Sequence, residues 1–381
     1  MPKKIMIIAG EASGDLHGSS LALALKELEP DVKLIGMGGE KMVKAGLQSF
    51  QDIKDLSVIG LIEILSSLGK FKAAFNLLAG KLDSEKPDVV VLIDYPEFNL
   101  RFAKEAKKRG IPVIYYISPQ IWAWRKERVN IIKEYVDKMI VILGFEKDFY
   151  AKEGVDVEFV GHPLLDSVKP SFKKEDFAKK YGLEPAFKTI ALLPGSRLTE
   201  IERNLPIMLK AAKRIKDRFG DSQFILAKPA EIRSSVYEKI LKRSSLKPVV
   251  AEGCPYDCIN AAELVLVASG TATVETMILD KPMLIIYRVS LLTWLIGKML
   301  VRIPNIGLVN IIAGEKIVPE LVQFDATPSK ITSEASSLLS SPEKMEAMRT
   351  RLAAVRSGLG GPGASKRAAE IILSKIRREA R

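Results

Sequence analysis

Short unbroken apolar runs alternate along this chain with longer amphipathic stretches. Val89-Val90-Val91-Leu92-Ile93 is the clearest run, with no polar alternation, which is the pattern of a strand covered on both faces. The same reading predicts strands at residues 4–9, 32–36, 89–93, 113–116, 138–142 and 158–160, with helices between them such as 16–29 and 98–109. A second series follows, with strands at 189–193, 223–227, 264–268 and 282–287. Strand–helix alternation in both halves predicts an α/β chain with two doubly wound, Rossmann-like domains facing a cleft, since ligands of open α/β sheets bind beyond the carboxyl ends of the strands. The expected domains are 1–165, 166–341 and a helical tail, 342–381, packing back toward the first domain. The polar stretch 166–175 reads as a linker. In the tail, Gly358-Leu359-Gly360-Gly361-Pro362-Gly363 separates two predicted helices and would let the last one cross back.

Composition changes this picture in a few places. With 47% apolar and 27% charged residues over 381 positions, there is ample material for a core. Cys254 and Cys258 lie in a C-x3-C spacing that suits neither a redox pair nor a zinc pair, and His17 and His162 are the only histidines, so no multi-histidine metal site is expected. The apolar run 5–9 is too short for a signal-peptide core. The run 289–301 is flanked by Arg288 and Arg302 and broken by Lys298, short of the ~20 apolar residues of a membrane span. The expectation is a soluble, cytoplasmic protein able to lie on a membrane. The formal charge is +12, concentrated partly in 343–381, yet no DNA- or RNA-binding module is visible, so nucleic acid is not an expected partner. Anionic lipid attracts such a surface equally well.

Four strand-to-helix turns carry candidate chemistry. Gly10-Glu11-Ala12-Ser13-Gly14-Asp15 follows the first strand; its carboxylates suit sugar hydroxyls, while a tight turn with Ser13 or Asp15 as helix cap explains it equally well. Pro194-Gly195-Ser196-Arg197 joins a glycine, a hydroxyl and a guanidinium at a helix start, a compact anion site. Ser269-Gly270-Thr271-Ala272-Thr273-Val274-Glu275 lets a diphosphate approach a helix N-terminus, with Glu275 in about the first turn as a ribose ligand or a dipole complement. Asp94, closing the Val-rich strand, suits a general base toward a sugar hydroxyl, or a helix cap. Beyond the next strand, Ser118-Pro119-Gln120-Ile121-Trp122-Ala123-Trp124-Arg125 offers ring faces and a cation for a sugar phosphate, or simple packing.

Taken together, GEASGD, GMGG, LIDYPEFN, ISPQIWAWR, FVGHPLLD, LLPGSR, ASGTATVE and NIIAGEKIVPELVQ resemble the lipid-A-disaccharide synthases, a family of GT-B glycosyltransferases, in an ordered set from residue 10 to 323. The resemblance implies transfer of 2,3-diacylglucosamine from UDP-2,3-diacylglucosamine to 2,3-diacylglucosamine 1-phosphate (lipid X). The product would be a β(1′→6) disaccharide, formed with inversion, without metal or other cofactor, and with release of UDP. It further implies Asp94 as base; Arg197 and Ser196, with Gly270 and Thr271, on the UDP phosphates; Glu275 on ribose; and Asn310 completing the UDP pocket. Glu11, Ser13, Trp124 and Arg125 would face the acceptor. His17 stands where an aliphatic residue is expected and could reach a substrate phosphate. The implied acyl substrates also give 58–68 a reading as a membrane-docking element, because Val58, Ile59, Leu61, Ile62, Ile64, Leu65 and Leu68 are too many apolar residues for one buried stripe and Lys70 and Lys72 follow. An ordinary core helix is the competing reading. The expected place is the inner face of the bacterial inner membrane, and a homodimer is left open. Other GT-B UDP-sugar enzymes, transferases on polyprenyl carriers or epimerases, are the nearest rivals, and a non-catalytic basic binding protein is the remaining one.

Overall fold

A computed structural model describes residues 2–53, 61–124, 127–230, 232–300 and 305–379, and the side chains of these except 61–68, 123–124, 292, 296–297, 299–300 and 377–379. The chain divides into two compact units, 1–166 with 359–381, and 167–358. The first unit holds β1 (Lys4–Ala9), β2 (Lys33–Gly38), β3 (Leu47–Asp52), β4 (Val89–Ile93), β5 (Val113–Tyr116), β6 (Lys138–Val141) and β7 (Val157–Phe159). These form one sheet in the order β3-β2-β1-β4-β5-β6-β7, parallel throughout. The second unit holds β8 (Lys188–Leu193), β9 (Ser222–Lys228), β10 (Val249–Glu252), β11 (Leu264–Ala268), β12 (Met283–Tyr287) and β13 (Glu320–Val322), in the order β10-β9-β8-β11-β12-β13, again parallel.

Both sheets are doubly wound. The strand order reverses between β1 and β4 in the first and between β8 and β11 in the second. The chain leaves those neighbouring strands in opposite directions, which opens a crevice at their carboxyl ends. β4 and β11 are wholly buried, as their unbroken apolar sequences require, and each such Val, Leu or Ile contributes roughly 1.5–3 kcal/mol by leaving water. The strands that the apolar pattern did not predict, β3, β10 and β13, are edge strands of their sheets. β3 reads Leu-Gln-Ser-Phe-Gln-Asp, too polar to register as a buried run.

The tail is split between the units, which corrects the expected separate segment 342–381. The helix Pro342–Ser357 stays with the second unit, where the Arg356 guanidinium donates to the Ile278 carbonyl and pairs with Asp280. The helix Ala364–Glu379 belongs to the first unit and packs on the helix Ala12–Leu28. Its start is fastened there by polar bonds. The His162 amide donates to Leu359 O at 2.9 Å, the Gly363 amide to Asp166 Oδ1 at 2.7 Å, and Arg367 donates to the Val160 carbonyl from Nε and Nη2 at 2.9 and 2.6 Å. Several of the tail's basic groups are therefore spent inside the fold. The expected linker 166–175 is short: a helix runs over Leu164–Ser167 and the next begins at Lys174. Among the described residues, no helix is long and apolar enough to cross a membrane.

Candidate functional site

In the first unit the two turns at the switch point meet. The Tyr95 ring packs over Gly10, where a β-carbon would stand 2.1 Å from the ring. Asp94 and Tyr95 both adopt left-handed backbone, at φ +46° and +51°, a conformation that costs a non-glycine residue free energy unless its surroundings impose it. Here two side chains impose it. The buried Asn99 donates from Nδ2 to the Ile93 and Asp94 carbonyls at 3.1 and 2.7 Å, and the Tyr115 hydroxyl donates to the Asp94 carbonyl at 2.5 Å. The Asp94 carboxyl is thereby fixed at the end of the strand. Burial, reinforced by the Glu11 carboxylate, pushes its pKa up to about 7. Glu11 is exposed and Ser13 half-buried at the start of the helix Ala12–Leu28. No cap bond comes from the Glu11 side chain.

The neighbouring polar groups sort into structural and available ones. Asp15 is buried and accepts from the amides of Gly39, Lys41 and Met42 at 2.8, 3.1 and 3.0 Å, so it caps the short helix Glu40–Lys44 and ties GMGG to the first turn. It is not free for sugar. His17 is buried edge-on to His162, with ring centroids 6.3 Å apart, and burial, with Lys41 nearby, lowers its pKa to about 4. Burial thus disfavours the cationic form, and the ring is packed against His162 inside the unit rather than presented to a ligand. Glu97 opens the helix Pro96–Lys108 and pairs with Arg128.

One carboxylate here has no place among the predicted site residues. Glu146, in the first turn of the helix Gly144–Lys152 after β6, is buried, accepts from Trp122 Nε1 at 3.2 Å and from the Leu143 amide at 3.3 Å, and is pushed up to about 8 by burial, with Asp94 contributing. An acid at N3 can bond the N-cap amide, as Glu146 does, but with Leu143 at the N-cap the sequence lacks the hydroxyl or carboxylate of a full capping box, so that signal is only half present. Trp122 also packs edge-on against Phe145 at 5.0 Å. Trp124 ends the helix Ile121–Trp124 but its side chain lies outside the described ones, and Arg125 and Val58 lie outside the described residues. Leu61, Ile62, Leu65 and Leu68 fall in the helix Leu61–Glu85, with side chains outside the described ones.

In the second unit the turn after β8 leads into the helix Leu198–Arg218, and the buried Asn204 in that helix grips it. Asn204 Nδ2 donates to the Pro194 carbonyl at 3.0 Å, while its Oδ1 accepts from the Arg288 amide at 3.0 Å beyond β12. Ser196 and Arg197 are exposed. Glu200, absent from the expectation, fills the helix start. Its Oε2 accepts from the Ser196 and Arg197 amides at 3.1 and 3.4 Å, and its Oε1 lies 3.6 Å from Arg197 Nη1. Gly195, at φ +126°, leaves room for it: a β-carbon there would stand 2.5 Å from the Glu200 carboxylate.

The turn after β11 is different. Gly270, at φ +139°, has open space where a β-carbon would project, and among the described residues no side chain caps the helix Thr271–Ile278 that it begins. The hydroxyls beside it are turned inward: Ser269 Oγ donates to Ile306 O at 2.9 Å and Thr273 Oγ1 to Gly270 O at 2.8 Å. The Thr273 amide already donates to Gly270 O at 3.1 Å, and the amides before it, at the helix start, are what an anion seeks. Glu275 is the fifth residue of that helix, beyond the first turn, so it is no dipole complement. It accepts from the Tyr256 hydroxyl at 3.2 Å.

Asn310 is a correction. It is wholly buried and its amide is fully used, donating to Val318 O and Glu320 Oε1 at 2.9 and 2.7 Å and accepting from the Ile317 and Val318 amides at 2.8 and 3.0 Å. Glu320 in turn accepts from the Ile306 and Gly307 amides, both at 3.0 Å. Asn310 thus holds the segment on which Ser269 rests and offers a ligand nothing directly. Among the described residues, no group of three or more His, Cys, Asp and Glu side chains could hold a metal ion.

Against this geometry, the chain matches the family model described as lipid-A-disaccharide synthetase over residues 5–373. A lipid-A-disaccharide synthase of Syntrophus aciditrophicus (strain SB) is 44% identical over 377 residues, covering 99% of this chain and 98% of that protein. One from Geobacter metallireducens is 43% identical over 374 residues, covering 98% and 97%. Among solved structures, the UDP-GlcNAc 2-epimerase of Neisseria meningitidis bound to UDP-GlcNAc superposes with a TM-score of 0.67 at 15% identity, covering 97% of this chain and all of that one. The glycotransferase of kitacinnamycin superposes with a TM-score of 0.65 at 14% identity, covering 99% and 100%. These two share the fold of paired doubly wound units, the GT-B arrangement.

Proposed function

The chain belongs to the lipid-A-disaccharide synthetase family, a hexosyltransferase that makes the lipid A disaccharide from a UDP-sugar, and from that premise we propose how its two units share the reaction. The donor is UDP-2,3-diacylglucosamine and the acceptor lipid X. The 6-hydroxyl of lipid X attacks the anomeric carbon as UDP leaves from the opposite face, which inverts the configuration.

The observation that carries this reading is Asp94, braced at the switch point with its pKa raised to about 7. A sugar hydroxyl is a poor nucleophile at neutral pH, and a general base works best when its pKa lies near the working pH. Asp94 meets that condition because burial and Glu11 make it more basic, not because it is strongly ionised. Glu11 and Ser13 are assigned to acceptor hydroxyls, and Trp124 and Arg125 to the acceptor's sugar face and phosphate.

The second unit is assigned the donor. The diphosphate lies at the uncapped turn of Gly270 and Thr271, with Arg197 and the Ser196 hydroxyl completing its neutralisation as charge develops on the leaving group. Glu275, beside Tyr256, takes the ribose hydroxyls. Asn310 acts by positioning, through Glu320 and the 306–307 segment. No step in this scheme calls for a metal or other cofactor. Because both substrates carry acyl chains, the enzyme works at a membrane surface, the inner face of the bacterial inner membrane, with 58–68 as a docking element and no nucleic acid involved.

Mass spectrometry of the product from UDP-2,3-diacylglucosamine and lipid X tests the reading. A disaccharide 1-phosphate with stoichiometric UDP supports it. An isomerised UDP-sugar would indicate an epimerase, and no turnover with retained vesicle or RNA binding would indicate a binding protein.

A further inference from the structure

The helix Leu291–Leu300 of the second unit presents an apolar face to water. Leu291 and Leu295 are 56% and 52% exposed, and Lys298 is exposed as well. Their spacing of four and then three residues sets all three on one side of the helix. Trp294 lies half-buried beside that stripe.

The helix is not loosely attached. Its start is fixed to the sheet by polar bonds. The Val289 amide donates to Gln323 Oε1 at 3.1 Å, Gln323 Nε2 donates back to the Val289 carbonyl at 3.3 Å, and Arg288 Nε donates to the Gln323 carbonyl at 3.1 Å. Ser290 caps the first turn, with Oγ accepting from the Thr293 amide at 3.1 Å. The fold thus holds in place a surface whose leucines it does not bury.

Charge identifies the partner. The helix carries no aspartate or glutamate, and its exposed Lys298 stands on the same side as the two leucines, whereas Lys281 and Arg288 are bonded within the unit to Asn260 O and Gln323 O. An apolar stripe ending in a lysine, in a stretch of chain free of acids, matches an anionic lipid surface: the leucines enter the acyl boundary and the lysine remains with the headgroups. At ten residues the helix is too short to span a bilayer, so it would lie in the interface plane.

We propose that the exposed face of the helix Leu291–Leu300 docks the second unit onto an anionic bilayer. The inference rests on these residues alone. Its test uses no substrate, so it can fail while the transferase reading stands.

The test is cosedimentation of the full chain with phosphatidylcholine vesicles, with and without 30% phosphatidylglycerol, alongside bromolipid quenching of Trp294, isolated by subtracting the signal of W294F. Wild type should prefer the anionic vesicles, and its Trp294 should be quenched by brominated chains. L291S/L295S should lower the partition coefficient about 30-fold, since each half-exposed leucine is worth several-fold. K298A should reduce the preference for phosphatidylglycerol. Three results would overturn the proposal: an unquenched Trp294 in wild type, which needs no variant to fold; an L291S/L295S chain that melts at the wild-type temperature and binds vesicles like wild type; or a dimer that the double variant dissociates while vesicle binding persists, which would make a second copy the occupant.

Discussion

At the end of β4 the backbone turns left-handed at Asp94, and a buried asparagine from the next helix, Asn99, grips the last two strand-end carbonyls. At the end of β8 the equivalent work is done by Asn204, which reaches back to the Pro194 carbonyl. The two units therefore brace their switch-point turns in the same way and then equip them oppositely. The first collects carboxylates, Glu11, Asp94 and Glu146, in a place where burial raises the pKa of the latter two. The second sets Arg197 at one turn and leaves the helix after Gly270 uncapped at the other. A group that must take a proton gains from a site that disfavours its charge. A site that must hold a leaving diphosphate gains from fixed positive potential. The difference teaches that the bracing belongs to the fold, and the proposed division between proton transfer and anion binding to the residues it holds.

The largest expected effect breaks the first half of that contrast. Asp94→Asn should lower turnover by at least ~10²-fold with UDP affinity unchanged. Steady-state assay and calorimetry on the same preparation read both, and near-normal turnover would move the base to Glu11. In the wild type the acid limb of the kcat/KM profile should fall near pH 7, and Glu11→Gln should move it to lower pH by removing a like charge. Stability follows with a definite sign. Folding raises the Asp94 pKa from 3.8 to about 7, so its contribution is fully present below 3.8 and is lost as pH rises through 7. The melting temperature of Asp94→Asn relative to wild type should therefore climb over that interval and then level off.

The second unit should respond through affinity. Arg197→Ala should weaken UDP binding by about 2–4 kcal/mol, the order expected when one member of a charge-assisted contact is removed. An unchanged calorimetric affinity would take Arg197 out of the site. Glu275→Gln should cost about 1–2 kcal/mol, and equally for UDP and uridine, since the carboxylate is assigned to ribose. A loss confined to UDP would overturn that role.

Asn310→Ala separates positioning from contact. It breaks four hydrogen bonds, three of them buried, so the melting temperature should fall by several degrees. UDP affinity, measured well below the transition, should fall by less than in Arg197→Ala. A UDP loss as large as that of Arg197→Ala, with the melting temperature unmoved, would return Asn310 to direct contact.

How much of this was legible in the chain depends on what each signal measures. Apolar runs report burial on both faces, so the central strands were readable and the edge strands β3, β10 and β13 were not. Loop glycines and a strand-end aspartate mark where the chain turns, so Asp94, Arg197 and Gly270 could be placed at the sheet's carboxyl edge. Side-chain partners are another matter. Asn99, Asn204, Asn310 and Glu320 act through bonds to backbone groups that are distant or structurally fixed only once the fold is made, and nothing in a linear spacing tells a buried amide that staples a turn from one that greets a ligand. His17 and Asp15 misled for the same reason: proximity in sequence to a Gly-rich turn says nothing about which side of the helix a group takes.

Glu200 offers the finest probe of the contrast between the units. Its carboxylate sits at a helix N-terminus that would otherwise accept phosphate, bound to the amides of Ser196 and Arg197 in the PGSR turn. An anion there is stabilised by the helix dipole, typically by ~0.3–1 kcal/mol, and it repels a second anion by a similar amount. Glu200→Gln keeps an acceptor of nearly the same shape while removing the charge. If the diphosphate is held at the Gly270 turn, with only the Arg197 side chain reaching it from the other loop, Glu200 acts as a neighbour that partly neutralises Arg197. UDP should then bind a few-fold tighter in the variant, by no more than ~1 kcal/mol, with uridine unaffected. If Glu200 instead keeps Arg197 extended toward the nucleotide, the variant should bind UDP more weakly. Calorimetry with UDP and uridine distinguishes the two by the sign of one difference, and a weaker UDP complex would make the second unit's anion site depend on its own carboxylate.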